Sequence, residues 1–128
     1  MSIRSNVVIT MVKTDYDEMV SLAHSTGDND IMEAVIELPD EIETFVGSDS
    51  YGDDVELVRI SYVSVKWYDW FADVKFIESF LRSGIPYHFL ATHEGGYAPE
   101  VRSNLLDKDG GFGSENCPWV EPQILCPR

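Results

Sequence analysis

The sequence has few cysteines, few basic residues and no long apolar run. Two cysteines in 128 residues are far below the density of a disulfide-stapled secreted scaffold, so we expect Cys117 and Cys126 to be free thiols, although they could form one C-terminal disulfide. The apolar stretch of residues 7–12 is too short for a signal peptide, and no window approaches the length of a membrane-spanning helix. These absences predict a soluble protein of the cytoplasm.

Catalytic and ligand-binding patterns are also missing from the sequence. No Ser or Cys belongs to a nucleophile motif beside a predictable base, and no phosphate-binding loop is recognisable. His88 and His93 lie on a predicted strand at positions that face opposite sides, which argues against a shared metal. A calcium loop beginning at Asp107 would have Pro118 where a bidentate glutamate is needed. We therefore predict no catalytic residue, no metal site and no cofactor.

The length and composition predict a single folded domain. A chain of 128 residues with 44% hydrophobic and 12% aromatic residues can build one core but not two. We expect residues 1–108 to form this domain. Residues 109–128 contain three glycines and three prolines, so we expect an irregular tail that packs on the same domain.

Apolar periodicity predicts strands and helices whose order does not repeat a parallel crossover unit. The acidic stretch from Asp40 to Asp54 is predicted to be a loop, with one helical turn near residues 42–46. Along the predicted strand 55–68, polar side chains change from odd-numbered to even-numbered positions, which predicts a bulge near Tyr62. The order of elements predicts an α+β domain, with a mixed or antiparallel sheet of about four strands and two to three helices packed on one face. Strands are predicted at 6–12, 55–68, 87–92 and 98–106, and helices at 15–25, 31–38 and 70–82.

Negative charge is concentrated in one third of the chain. The 45 residues from Thr14 to Val58 contain 14 acids and no Lys or Arg, whereas the rest of the chain contains 9 acids and 9 basic residues. The formal net charge of −14 therefore belongs to this acidic block. Such a charge argues against direct binding of nucleic acids or anionic membranes, and a partner recognised by charge should be basic.

Two interpretations of the acidic block stay open. It can be a solvated face that keeps a small protein soluble, or a surface whose carboxylates imitate the phosphates of a nucleic acid and occupy the basic site of a partner. A net charge of roughly 2 to 8 in magnitude already suffices for solubility, which favours the second interpretation. We predict that the following residues contact the partner: Asp28, Asp30, Asp40, Glu41, Glu43, Asp49, Tyr51, Asp53, Asp54 and Glu56.

Residues 66–71 contain four aromatic side chains. We expect most of them to lie in the core and one exposed aromatic face to anchor a partner. The run continues into a packing pattern that consists of Lys66, Trp67, Tyr68, Phe71, Val74, Ile77, Leu81, Ile85, Pro86 and Tyr87.

This pattern, with the opening residues 2–6, resembles a family of small acidic proteins of uncharacterised role that are carried mainly by bacteriophages and mobile elements. The resemblance covers only a small part of the chain and implies no catalytic residue. It implies an accessory protein that inhibits a host system and acts in the cytoplasm of the bacterial host.

We therefore predict an acidic protein-binding inhibitor of the anti-CRISPR or anti-restriction type, whose partner is a nuclease or another basic nucleic-acid-binding complex. An immunity protein that neutralises a nuclease toxin would use the same electrostatics. An alternative from another class is a small enzyme or ligand-binding domain that uses the region from Tyr87 to Tyr97, with His88, His93 and Glu94 as its polar groups.

Overall fold

The computed structural model describes residues 4–48, 53–68, 70–96 and 99–103. The predicted tail of residues 109–128, with both cysteines, lies outside the described residues. The helices are α1 (Lys13–Thr26), α2 (Asn29–Met32), which continues as a π-helical turn (Glu33–Glu37), and α3 (Ala72–Leu81). The strands are β1 (Ser5–Val12), β2 (Glu41–Ser48), β3 (Asp54–Val65), β4 (Tyr87–His93) and β5 (Glu100–Ser103).

The strands form one antiparallel sheet in the order β2-β3-β1-β4-β5. β1 lies at its centre because both faces of this strand are apolar. Val7 and Ile9 are buried against the helices, and Val8 is buried with Leu90 on the opposite face. The predicted α+β class is confirmed, with five strands rather than about four.

The described helices cover one face of the sheet because each contributes an apolar stripe. Met19 and Ala23 of α1, Val35 of the π-helical turn, and Ile77 and Leu81 of α3 are at most 1% exposed and join a single core cluster. Complete burial of a Leu, Ile or Met side chain contributes about 1.5–3 kcal/mol. Packing against the sheet therefore stabilises these short helices more than their own propensity does.

The pairing of β1 with β3 contains the predicted irregularity. The register changes between Ser5 and Val7, where two residues of β3 lie opposite Asn6. Ser64 adopts a positive φ of 57°, and its backbone N–H donates to Asn6 Oδ1 over 2.8 Å. The bulge predicted near Tyr62 is therefore confirmed, and a side-chain amide satisfies the backbone group that the bulge removes from the ladder.

The predicted loop between Asp40 and Asp54 is wrong over Glu41–Ser48, which form β2 and pair with β3 along their whole length. The helical turn predicted near residues 42–46 is not formed. The physical reason is the position of β2 at the edge of the sheet. Acidic residues disfavour buried strands, but an edge strand keeps much of its surface in water and tolerates them.

An ion pair connects β5 to α3. Arg102 donates to both carboxylate oxygens of Glu78 over 2.7 and 2.8 Å, and its guanidinium lies 4.0 Å from the centre of the Phe89 ring. Trp67 Nε1 also donates to Glu78 over 3.3 Å. Burial alone would raise the pKa of the Glu78 carboxyl, but the hydrogen bonds and charge of Arg102 outweigh it and hold that pKa below the ordinary value.

Replacing Glu78 with Gln should lower the free energy of unfolding by about 2 kcal/mol, because a charge-assisted pair is lost from a half-buried position. Protonation of Glu78 breaks the pair, so the native protein should lose this contribution in acid. The loss should begin as the pH falls below the ordinary glutamate pKa of 4.5 and should be complete below the lower pKa that Glu78 has in the folded protein. Urea denaturation from about pH 7 to about pH 3 measures both effects. Glu18→Gln, at an exposed position of α1, is the control, and an equal loss in both variants would contradict the assignment.

Candidate partner-binding surface

Eight of the ten predicted contact residues lie in the described part of the chain, and all eight are exposed. Asp49 and Tyr51 lie outside it. Asp28 and Asp30 stand at the start of α2, and the other six lie on or beside the β2–β3 hairpin: Asp40, Glu41, Glu43, Asp53, Asp54 and Glu56.

The register of the hairpin separates its acids into two groups. Glu41 lies opposite Ser61 at one end of β2, and Ser48 lies opposite Asp54 at the other. Seven steps of about 3.4 Å place these two ends about 24 Å apart. Because side chains alternate along a strand, Glu41 projects from one face of the hairpin and Asp54 from the other. The acids therefore follow the edge of the sheet and do not form one flat patch.

At least three of the predicted acids in the described part of the chain also have local structural contacts. Asp28 Oδ1 accepts a hydrogen bond from Asp30 N over 2.9 Å and caps α2. Asp40 Oδ2 accepts from Val63 N over 2.6 Å. Glu43 lies 3.7 Å from a guanidinium nitrogen of Arg59. These contacts explain part of the acidic block by folding alone.

The expectation that most aromatic side chains of residues 66–71 lie in the core is wrong, because only Trp67 packs against the core cluster, whereas Tyr68 and Phe71 are half-buried and Trp70 is exposed. Trp67 packs against Tyr62 and Phe89, with ring centres 5.4 and 6.2 Å apart. Trp70 is 69% exposed, and its ring stacks on Tyr68 with centres 4.8 Å apart and planes 12° apart. Trp70 is therefore a fixed aromatic surface in contact with water.

A groove of about 410 Å³ lies beside Trp70 and is named the Trp70 groove. Leu38, Phe71 and three carboxylates line it. Of these carboxylates, only Asp30 was among the predicted contacts. An adjoining cleft of about 400 Å³ shares Leu38 and Phe71 and includes Asp40. The other two carboxylates of the groove belong to Glu33 and Asp73.

Sequence reasoning missed Asp73 because it lies outside the acidic block and reaches the groove only through the packing of α3 beside α2. The aromatic run beside it was the available signal. Asp73 Oδ1 accepts a hydrogen bond from Val74 N over 2.8 Å, which orients this carboxylate at the start of α3.

The alternative site around β4 has a contact that the sequence did not predict. His93 Nδ1 lies 2.7 Å from Ser5 Oγ across the β1–β4 pair, and His93 Nε2 lies 3.8 Å from a carboxylate oxygen of Glu100. Ser5 and His93 are 88 residues apart in sequence, so spacing along the chain could not predict this contact. Ser5 is 4% exposed. His88 projects from the opposite face and is buried, as its parity predicted.

Glu94, the third polar residue of the alternative site, has a backbone partner at the end of the sheet. Its carboxylate accepts a hydrogen bond from Arg4 N over 2.9 Å, and Glu94 N donates to Arg4 O over 3.0 Å. The carboxylate therefore helps to join the start of β1 to the end of β4.

Within the described residues, no group of three or more His, Cys, Asp and Glu side chains has the arrangement of a metal site. None of the described helices has the length and apolar character needed to cross a membrane. No protein-family model, curated protein or solved structure matches the chain. Function is therefore inferred from the residues themselves.

Proposed function

We propose that the protein is an acidic protein-binding inhibitor that occupies the basic, nucleic-acid-binding surface of a partner. The observation that carries the proposal is the exposure of all eight described acids of the predicted set, six of them along one edge hairpin. Exposed carboxylates attract a basic partner and repel nucleic acids. The partner is therefore a basic protein and not a nucleic acid or a membrane.

The charge of the chain, rather than the spacing of acids along the hairpin, supports the imitation of a nucleic acid. The acidic ends of the hairpin are about 24 Å apart, and duplex DNA presents one negative charge per about 1.7 Å of its axis. The chain has fewer charges over this distance, but its net charge of −14 exceeds the roughly 2 to 8 that solubility requires. The resemblance to phage accessory proteins favours a counter-defence inhibitor of the anti-CRISPR or anti-restriction type. An immunity protein against a nuclease toxin fits the same charges.

The proposal predicts capture of a basic nucleic-acid-binding protein and its release by salt. The purified chain is immobilised, exposed to a bacterial lysate and eluted with a salt gradient, and the eluted proteins are identified by mass spectrometry. A captured partner is then tested for binding to duplex DNA with and without the free chain. We expect competition that weakens as the salt concentration rises, because the attraction between exposed charges is screened. Retention of only neutral partners that ignore salt would contradict the proposal.

The contact between Ser5 and His93, with Glu100 nearby, favours a second candidate, a small enzyme or ligand-binding domain. Replacing His88, His93 and Glu94 together separates the candidates, since an inhibitor should keep its binding and an enzyme should lose its activity. Because His88 is buried, thermal unfolding of this variant is measured first. The single variant His93→Gln replaces it if the triple variant does not fold.

A further inference from the structure

The side chain of Trp70 is exposed to solvent, as in a binding residue, and is not buried in the core. It is 69% exposed and is the most exposed large hydrophobic side chain among the described residues. Tyr68 covers one face of its ring, and Phe71 meets it edge to face with centres 6.2 Å apart. These two contacts fix the ring without burying it, so the indole is preorganised to receive a group from outside the chain.

The Trp70 groove is lined by both apolar and acidic side chains. Leu38, itself 47% exposed, and Phe71 provide apolar surface, and three carboxylates provide negative charge. No Lys or Arg is among the described residues that line this groove. Its volume of about 410 Å³ is near the lower end of ligand-binding pockets, which are roughly 300–1,000 Å³. The groove therefore suits one long cationic side chain.

We propose that the Trp70 groove binds an arginine side chain of the basic partner, with the guanidinium stacked on the open face of Trp70 and hydrogen-bonded to the surrounding carboxylates. This inference rests on the proposed function, because it names the contact through which a basic partner is anchored. Arginine fits better than lysine, since its planar guanidinium stacks on aromatic rings and donates two parallel hydrogen bonds to a carboxylate. A second copy of this chain fits worse, because it carries the same net charge of −14.

The test uses the full chain, isotope-labelled for NMR, and a short peptide of alternating arginine and glycine as the probe. The matching lysine and glutamate peptides are titrated in parallel. We expect the arginine peptide to shift the indole N–H of Trp70 and the backbone amides of Ala34 and Ala72, and to bind more tightly than the lysine peptide. The glutamate peptide should produce no shift.

Trp70→Ala should weaken binding of the arginine peptide about five- to tenfold, because a stacked cation over an indole is worth about 1 kcal/mol or more. Trp70→Phe should retain part of the binding. Val101→Ala is the matched control, since Val101 is 41% exposed on β5, at the opposite edge of the sheet from the hairpin and outside the groove. The exposed position of Trp70 predicts that its variants fold, and thermal unfolding checks this.

The possible outcomes separate this inference from the proposed function. If the arginine peptide shifts only the hairpin amides and Trp70→Ala binds it equally well, the groove is not the anchor, although the protein still binds basic chains. Equal binding of the arginine and lysine peptides, unchanged in Trp70→Ala, overturns the inference in the same way. If no basic peptide binds and no salt-sensitive partner is captured, both fail.

Discussion

Replacing Phe89 with Ala is expected to lower the free energy of unfolding by about 4 kcal/mol, the largest effect of any substitution considered for this fold. Phe89 is fully buried at the centre of β4 and contacts Trp67, while the guanidinium of Arg102 covers its ring. The variant loses buried apolar surface and leaves a cavity that a sheet cannot easily close. For a domain of this size the midpoint of thermal unfolding should fall by about 15 °C. Calorimetry and urea denaturation measure the change.

Phe45→Ala is the matched control, because Phe45 is also covered by an arginine. The guanidinium of Arg59 lies 4.6 Å from the centre of its ring, but Phe45 is only half-buried on the edge strand β2. Its loss should be about 1–2 kcal/mol. If both variants lost the same free energy, the arginine contact rather than burial would determine the cost, which would contradict the expected effect of the cavity.

The elements predicted correctly are those whose local pattern agrees with their burial. Strand β1 is apolar on both faces and lies at the centre of the sheet, and α3 buries Val74, Ile77 and Leu81 at helical spacing. The bulge at Ser64 could also be predicted, because the polar residues of β3 change from odd-numbered to even-numbered positions beside it. Short-range periodicity therefore predicts an element correctly where its buried and exposed residues follow the regular spacing of a helix or strand.

The edge strand β2 and the Trp70 groove could not be predicted in this way. In β2 the acids lowered the strand propensity, and only the pairing with β3 decides the structure. The groove brings Asp73 of α3 beside Asp30 of α2, and the β1–β4 pair brings Ser5 beside His93. Such contacts depend on the topology of the sheet and on helix packing, which residue spacing does not contain. The eight described acids are exposed, but their division between the two ends of the hairpin can be seen only in the fold.

Neutralising the acids at the turn end of the hairpin should weaken partner binding about 100-fold at low salt, mainly by slowing association, because electrostatic steering changes association rates by about 10 to 1,000-fold. The variant combines Asp53→Asn, Asp54→Asn and Glu56→Gln, all at exposed positions. Folding should be unchanged or slightly more stable, since the substitutions reduce repulsion within the acidic block. Stopped-flow association with the captured partner, at several salt concentrations, measures the rate. The dependence of that rate on salt should become shallower in the variant.

A second variant separates the position of the charges from their number. Asp17→Asn, Glu18→Gln and Glu37→Gln remove three negative charges from exposed positions in and beside the helices, so both variants have the same net charge. If net charge alone attracted the partner, the two variants would associate equally slowly, and the imitation of nucleic acid by the hairpin would be wrong. If neither variant slowed association, the acidic block would serve solubility. At about 0.1 M salt, slower association in the hairpin variant alone is the result that the arrangement of acids along the sheet edge requires, because screened charges then act mainly within about 10 Å of the partner's surface.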